Sequence, residues 1–517
     1  EELRRWMEER DAGIQARVVP GLCHSPEELA PPAGDSSRRI VLGLCSSDYP
    51  ELEMHSRARK AGIDPLGMEV VDLGTLCTPV MVGEQGMEKA RLLLLAAVAR
   101  ARAYPGSSPA GLKAYLSPFS QRMSRRALLT IPPVLYQAVA SIINEGCVAE
   151  EGCTLCAQAC PRGAIQGAGR GLQVVRSLCD PCGLCVAACP RGAVQLPGSS
   201  PAQLDAEVNA LLGKDHVSLA ERCIFFACRR GIQAFGNAGG KELAASPHWL
   251  PVQVPCVGMV SVGCILECLA RGASAVGLLP CSGDCPFGQR EAWEGKVAYC
   301  RELLRLLGES PERVRLLGPE GGERDLDAGI VPLSGRYARG RREHQRSGGL
   351  IGPEVAARAL LQMAGEYDAP PELSMEHPHS PLGVLQLRPD GCTGCGVCAS
   401  SCPTGALALE RGVESLSLSF DAVLCSGCGG CVSKCPESPM EVIQVRRVTD
   451  LARLAQGRVE LLRDEVVRCS GCGAPIAPRA MMERVERMLG RGHAPGPSIP
   501  LRYCASCQVT STFDRSS

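Results

Sequence analysis

Residues 277–286 read GLLPCSGDCP, in which an apolar run ends in two cysteines, Cys281 and Cys285. Three residues separate these thiols, whereas only two separate the paired cysteines of the C-x-x-C zinc motif. The spacing therefore indicates that both cysteines belong to a site that other parts of the chain complete. The sequence around the segment shows which parts these are.

Strand and helix patterns alternate in this region. Strand-like runs end at three cysteines, CIFFAC at Cys228, LPVQVPC at Cys256 and AVGLLPC at Cys281, and the helical run SVGCILECLARGA precedes the last of them. In a parallel sheet with helical crossovers, the carboxyl ends of the strands open into one crevice. We therefore predict that Cys228, Cys256, Cys281 and Cys285, here called the middle set, surround one point.

Three further cysteines of this region do not fit the site. Cys223 begins the strand that Cys228 ends, and five residues of strand span about 16 Å. Cys264 and Cys268 lie four residues apart on the helical run and so share one face of it. We expect these three thiols in the apolar core.

Cysteine dominates the composition, with 31 of 517 residues, while aromatic residues make up only 3%. Most of the cysteines have C-x-x-C spacing, which favours metal ligation over the disulfide framework of a small secreted protein. The 55 basic and 55 acidic residues cancel, which argues against nucleic acid or an anionic membrane as partner. The charged start EELRRWMEERD has no signal-peptide pattern, and no apolar run is long enough to span a bilayer, so we expect a soluble cytoplasmic protein.

Four cysteine runs form two pairs along the chain. Cys160, Cys189 and Cys402 each begin a near-copy of C-P-x-G-A, and Cys435 with Pro436 closes a looser copy. Three of the runs have the complete C-x2-C-x2-C-x3-C-P spacing, which resembles the two-cluster bacterial ferredoxin family. The fourth run starts C-x5-C at Cys147, and a three-cysteine cluster with Cys147 free is the alternative for it.

The resemblance implies four [4Fe–4S] cubes. In two-cluster ferredoxins the first three cysteines of a run hold one cube, and the fourth holds the other cube of the pair. The resulting ligand sets are set A (Cys147, Cys153, Cys156, Cys189), set B (Cys160, Cys179, Cys182, Cys185), set C (Cys392, Cys395, Cys398, Cys435) and set D (Cys402, Cys425, Cys428, Cys431).

The middle region, over about residues 218–320, resembles the iron–sulfur delta subunit of methyl-viologen-reducing hydrogenase. The segment PCVGMVSVGCILECLARGASAVGLLPCSGDCPFG carries the resemblance. It implies a [2Fe–2S] cluster and electron transfer between a nickel–iron hydrogenase and a heterodisulfide reductase. Two positions depart from the family: Gly231 stands where relatives have a cysteine, and Pro286-Phe287 replaces a frequent histidine. A structural zinc or a pocket of reducing thiols is the alternative at the middle set.

Both ends of the chain carry further cysteines. Cys23, Cys45 and Cys77 each end a strand-like run in a segment that faintly resembles the N-terminal domain of heterodisulfide reductase A-type proteins; a cluster or three ordinary buried thiols are the alternatives. Near the other end, two C-x-x-C pairs flank the helical MMERVERMLG. Four thiolates so spaced suit tetrahedral zinc, with a mononuclear iron or another cluster as the alternative. This C-terminal set comprises Cys469, Cys472, Cys504 and Cys507.

These patterns predict a multidomain α/β plus α+β protein. A Rossmann-like domain of the delta-subunit type lies between two ferredoxin-like 2[4Fe–4S] modules, and a zinc-ribbon-like segment follows. The expected boundaries are 1–140 for an N-terminal α/β domain, 141–200 for the first ferredoxin module, 215–325 for the delta-type domain, 326–385 for a linker and helix, 386–447 for the second ferredoxin module and 450–517 for the four-cysteine segment.

The motifs predict electron transfer rather than bond chemistry. The sequence contains no nickel–iron motif pair, no convincing nucleotide loop and no adjacent Cys-Cys pair, so we expect no catalytic residue. We expect the chain to carry electrons between a hydrogenase or dehydrogenase and an acceptor, with hydrogenase, formate dehydrogenase or heterodisulfide-reductase-like subunits as partners. The alternatives are a redox enzyme that reduces an acceptor at the middle cluster, and a redox-sensing scaffold.

Overall fold

The computed structural model describes residues 1–22, 39–45, 58, 63–77, 84–106, 112–116, 134–213, 219, 221–228, 231, 246–281, 285, 287, 289–317, 349–490 and 502–508. The chain divides into two compact units. The first comprises Glu1–Cys147 and Thr154–Ala369, and the second comprises Val148–Cys153 and Pro370–Ser517.

The helices of the described residues are α1 Glu2–Arg10, α2 Leu73–Cys77, α3 Glu84–Arg102, α4 Leu155–Gln158, α5 Leu184–Ala188, α6 Pro201–Leu212, α7 Val262–Ala270, α8 Arg290–Leu306, α9 Pro353–Glu366, α10 Val397–Ser400, α11 Gly430–Lys434, α12 Leu451–Gln456 and α13 Arg479–Gly490. Short 3-10 turns occur between several of these elements. Among the described helices, none combines the length and the apolar character needed to cross a membrane.

The strands are β1 Ile40–Leu44, β2 Met68–Asp72, β3 Leu112–Leu116, β4 Val134–Ala138, β5 Ser141–Ile142, β6 Ile165–Ala168, β7 Gly171–Val174, β8 Val194–Gln195, β9 Cys223–Cys228, β10 Trp249–Val254, β11 Val276–Leu279, β12 Val314–Leu316, β13 Ser374–Glu376, β14 Val384–Leu387, β15 Leu407–Arg411, β16 Ser415–Asp421, β17 Ile443–Arg446, β18 Val448–Asp450, β19 Arg458–Arg468 and β20 Pro475–Pro478. They form several small sheets and two sheets of four strands.

The middle of the first unit is a four-stranded parallel sheet in the order β10-β9-β11-β12. Every residue of β9 and β11 is buried, as expected for a parallel strand that is covered on both faces. Helix α7 connects β10 to β11, and its first turn is capped by the Ser261 hydroxyl, which accepts from the Cys264 backbone N–H at 3.1 Å. The predicted strand–helix–strand order is thus confirmed, and the strand ends meet at one edge.

Each cysteine-run segment contains two antiparallel strand pairs, one a hairpin and the other joining the two ends of the segment. In the first unit β5 pairs with β8 and β6 with β7, and in the second unit β14 pairs with β17 and β15 with β16. The second copy is larger, because β19 pairs with β16 and β20 extends the same sheet. The residues after 450 therefore continue the ferredoxin-type sheet rather than beginning as a separate body.

A glycine follows the second cysteine of the three complete runs. Gly183, Gly396 and Gly429 precede α5, α10 and α11 with φ between +72° and +83°, a backbone conformation that glycine adopts without steric cost. The incomplete run has Thr154 at this position, with φ of −132°. The departure at Cys147 is thus accompanied by a different local turn.

The N-terminal region forms strands β1 and β2, which are parallel. The expectation that Cys77 ends a strand is wrong, because β2 ends at Asp72 and the next five residues form helix α2. The helical pattern ELEMHSRARKAG of residues 51–62 lies outside the described residues apart from Ala58. Helix α3 packs on α6, where buried Arg100 pairs with Glu207 at 2.5 Å and with Glu69 at 3.3 Å. Two carboxylates around one guanidinium satisfy a charge that would otherwise be costly to bury.

Candidate metal centres

The middle set converges as predicted. Cys228 is the last residue of β9, and Cys256 lies two residues past β10, where its side chain begins the turn Val257–Met259. Cys281 forms hydrogen bonds with the thiols of Cys285 and Cys228, and Cys285 also interacts with Cys256. The three strand ends and the loop after β11 therefore bring four sulfurs into one cluster.

The surroundings of the middle set suit a bound metal centre. Burial, followed by the neighbouring thiols, raises the pKa of Cys256 and of Cys281 to about 12. Backbone N–H groups point at two of the sulfurs, from Gly231 to Cys228 at 3.3 Å and from Gly258 to Cys256 at 3.4 Å. Crowded thiols ionise when metal is bound, and N–H···S hydrogen bonds are typical of iron–sulfur sites. Four sulfurs with such donors fit a bound metal ion or iron–sulfur centre.

Gly231 explains one departure from the family. A Cβ at this position would lie 2.7 Å from the Leu279 carbonyl oxygen and 3.1 Å from that of Pro280. Backbone atoms cannot yield easily at such distances, so no cysteine fits here without moving the end of β11. The fifth cysteine of the relatives is thus replaced by a backbone donor to Cys228.

A lysine that the sequence analysis missed lies beside the middle set. The Lys296 ammonium donates to the carbonyl oxygens of Gly258 at 2.7 Å and Val260 at 2.9 Å, in the turn that follows Cys256. Burial lowers the pKa of this lysine to about 8, and the nearby Cys256 acts in the opposite direction. The sequence could have indicated this buried lysine, because Lys296 lies on the same face of α8 as the buried Trp293 and Cys300.

Set B is assembled in the first unit. Burial, followed by Cys182, Cys179 and Cys160, raises the pKa of Cys185 to about 12. The strongest thiol neighbours of Cys185 are therefore the other three members of its crossed set, including Cys160 from the preceding run. The Ala164 N–H donates to Cys160 Sγ at 3.3 Å, which is again an iron–sulfur type of contact.

Three members of set A occupy the same apolar cluster as set B. Cys156 and Cys189 are buried in it, and Cys147 packs against it. Cys153 is partly buried and its N–H donates to the Val148 carbonyl at 3.3 Å, closing the longer loop. Packing against an apolar cluster suits a ligand and a free thiol alike, so ligation by Cys147 stays a prediction.

Sets C and D are assembled in the second unit. A cavity there is lined by all four members of set C, together with Leu409, Leu418 and Ile443. Burial, followed by Cys392, Cys395 and Cys435, raises the pKa of Cys398 to about 12. In set D, Cys431 has the same pKa for the same reason, with Cys425 and Cys428 as its nearest thiol neighbours. Crossed ligation therefore fits the geometry of both runs.

The C-terminal set is more compact. The four Sγ atoms of Cys469, Cys472, Cys504 and Cys507 all lie within 4.8 Å of one another. Tetrahedral zinc with 2.3 Å bonds requires sulfurs about 3.8 Å apart, so the set fits a single ion. The backbone N–H groups of Cys504 and Cys472 lower the pKa of Cys469 to about 6, which favours the thiolate form that a metal binds.

The remaining cysteines lie elsewhere. Cys223, Cys264 and Cys268 are buried in the middle domain, at no more than 5% exposure. Cys45 follows β1 and is exposed, whereas Cys77 ends α2 and is buried, where desolvation raises its pKa to about 11. Cys23 lies outside the described residues, so the hypothesis of an N-terminal cluster stays a prediction.

Comparison with known proteins agrees with these sites. Residues 223–326 match the family model of the methyl-viologen-reducing hydrogenase delta subunit, and residues 391–440 match that of the 4Fe-4S dicluster domain. An iron-sulfur subunit of the F420-non-reducing hydrogenase of Archaeoglobus profundus is 37% identical over 94 residues, which cover 18% of this chain and 68% of that protein. An uncharacterized ferredoxin of Methanocaldococcus jannaschii is 59% identical over 27 residues, 5% of this chain and 44% of that protein.

These matches confirm the resemblances of the middle region and of the second ferredoxin-type segment. The delta-subunit match covers all four cysteines of the middle set, and the dicluster match covers all eight cysteines of sets C and D. The chain therefore belongs to the family of methyl-viologen-reducing hydrogenase delta subunits, here fused to ferredoxin-type iron–sulfur sequence.

Proposed function

We propose that this chain is the electron-transfer subunit of a hydrogenase-type or dehydrogenase-type complex. It carries electrons between that enzyme and a heterodisulfide-reductase-like or other acceptor, in the cytoplasm. The convergence of the middle set at the strand ends of the family domain carries the proposal. Hydrogenase, formate dehydrogenase or heterodisulfide-reductase-like subunits are the proposed partners.

The residues fit five clusters. Sets A to D would hold four [4Fe–4S] clusters and the middle set a [2Fe–2S] cluster, which when bound supply one-electron redox chemistry. The protein contributes burial, since Cys182, Cys185, Cys228 and Cys256 are each no more than 8% exposed, and N–H groups directed at sulfur. Both factors set the potential of an iron–sulfur centre.

The geometry favours electron transfer over reduction of a substrate at the middle set. A four-cysteine set supplies all the ligands that a [2Fe–2S] cluster needs, so no iron position is left open for an acceptor. Neither Gly231 nor Phe287, at the positions where the family departs, offers a replacement ligand. A closed four-cysteine site therefore supports transfer of electrons through the cluster.

The metal content of the anaerobically purified chain tests the proposal. We expect about 18 iron atoms, from four cubes and one binuclear cluster, and about one zinc. Iron, acid-labile sulfide and zinc are measured per chain. A result near eight iron atoms contradicts the presence of two ferredoxin modules.

Crossed ligation in the second module is tested by a matched pair of variants. Cys435→Ala is expected to remove the set C cube and Cys402→Ala the set D cube, because each residue lies at the end of one run but faces the thiols of the other. Each variant loses about four iron atoms. The thiols of set C are then tested for alkylation in the Cys435→Ala protein. If they are still protected, their cube is bound without Cys435, and Cys435 belongs instead with the cysteines of its own run.

A further inference from the structure

The first ferredoxin-type segment packs directly on the middle domain inside the first unit. A single buried apolar cluster contains Cys182, Leu184 and Cys256, and Cys285 and Phe287 pack against it. One of its cysteines belongs to set B, and two belong to the middle set. Residues of two ligand sets, from different domains, therefore lie in one buried apolar contact.

The contact is close enough to restrict side-chain size on both sides. A Cβ at Gly183, in the loop of set B, would lie 2.6 Å from Met259 Sδ. A Cβ at Gly258 would lie 2.9 Å from Leu184 Cδ2 and 2.9 Å from Gln289 Cγ. Each domain thus presents a glycine where the other presents an apolar side chain.

The surroundings of this contact hold it in place. Met259 is 2% exposed and belongs to the turn whose carbonyl oxygens accept from the Lys296 ammonium. On the other side, the Arg162 guanidinium lies 5.9 Å from the centre of the Phe287 ring and pairs with Asp180 at 2.8 Å. Arg162 follows Cys160 by two residues, so the contact extends along both runs that supply set B.

Comparison of the four runs shows that burial at this point is specific. Leu184, between the second and third cysteines of its run, is 6% exposed, and Cys182 is 5% exposed. At the positions that correspond to Leu184, Val397 is 37% exposed and Leu155 and Gly430 are partly buried. At the positions that correspond to Cys182, Cys428 is exposed and Cys153 and Cys395 are partly buried. The sequence repeats, but only the set B copy has its loop covered among these described residues.

We propose that the cube of set B, and not that of set A, exchanges electrons directly with the cluster of the middle set. The inference rests on the proposed function, since it assigns an order to the same centres. The thiolates of set B and of the middle set would hold the two centres, and one electron would pass from one centre to the other with no bond formed or broken. Electron tunnelling weakens steeply with distance, so centres whose ligands share an apolar contact are the favoured pair.

Magnetic coupling between the two centres tests this order. In the full chain reduced with dithionite, the middle [2Fe–2S] signal is expected to relax rapidly because a paramagnetic cube lies beside it. The microwave power that half-saturates the signal is measured by electron paramagnetic resonance. It is expected to fall severalfold in Cys160→Ala, which removes the set B cube, and to stay near the parent value in Cys189→Ala, which removes the set A cube.

The two substitutions are matched, because Cys160 and Cys189 begin near-identical C-P-R-G-A segments. A severalfold fall in Cys189→Ala but not in Cys160→Ala overturns the inference. If either variant fails to fold, the half-saturation power of the [2Fe–2S] signal is measured during a redox titration of the parent chain. The proposed order predicts that this power changes as the cubes become reduced. A [2Fe–2S] signal that relaxes slowly at every potential also overturns the proposed order. Absence of any [2Fe–2S] signal contradicts the proposed function itself.

Discussion

Replacement of Cys281 with alanine is expected to abolish the [2Fe–2S] signal and to remove about two iron atoms per chain, while the cubes remain. Cys281 interacts with two other thiols of the middle set, Cys285 and Cys228, so three ligands cannot close the site. The measurement is the electron paramagnetic resonance spectrum of the reduced protein, together with its iron content. Transfer of electrons through the middle domain should fall with the signal.

Cys264→Ala is the matched control for this variant. Cys264 lies in the same domain, on α7, and is 5% exposed, but the structure places it in the core with Cys268 rather than in the middle set. We expect the control to keep both the signal and the iron. An unchanged spectrum in Cys281→Ala, or a lost signal in Cys264→Ala, contradicts the assignment of the middle set.

Much of the middle site could be predicted from local sequence because its ligands follow strand ends. An apolar run of six residues predicts a buried strand, and parallel strands with helical crossovers bring their carboxyl ends together. No long-range information was therefore needed to predict that the strand ends bring together Cys228, Cys256 and Cys281. The cubes were predictable for a similar reason, since ligand spacing within a run is a local property and crossed ligation follows from the family.

The contacts between domains could not be predicted in this way. Leu184 and Met259 are separated by 75 residues, and each is an ordinary apolar residue in its own segment. Nothing in the spacing of Gly183 or Gly258 indicates that each faces a side chain of the other domain. Similarly, the pairing of β19 with β16 depends on the edge that the second ferredoxin segment leaves open to it. Such pairings are decided by tertiary packing rather than by propensity.

Substitution of Cys507 with alanine is expected to release the single zinc ion while leaving the iron content unchanged. The C-terminal set has all four sulfurs within 4.8 Å of one another, and a structural zinc site of this kind requires all four ligands. Among the described residues after 468 there is little apolar core to replace it, since Met488 is 63% and Leu489 is 50% exposed. We therefore expect this segment to become sensitive to limited proteolysis, while β16 and β19 stay protected.

The control for this prediction is Ser470→Ala, since Ser470 is exposed between Cys469 and Cys472 and its backbone N–H, which the substitution keeps, donates to the Arg502 carbonyl at 2.9 Å. Zinc content and protease resistance should stay at the parent values in the control. Because thiols must lose their protons to bind metal, release should also increase as the pH falls. Retention of zinc in Cys507→Ala contradicts a four-thiolate site, and loss of iron in place of zinc identifies the bound metal as iron. Either result would show that four converging sulfurs alone do not determine which metal a site selects, since geometry and availability contribute as much as affinity.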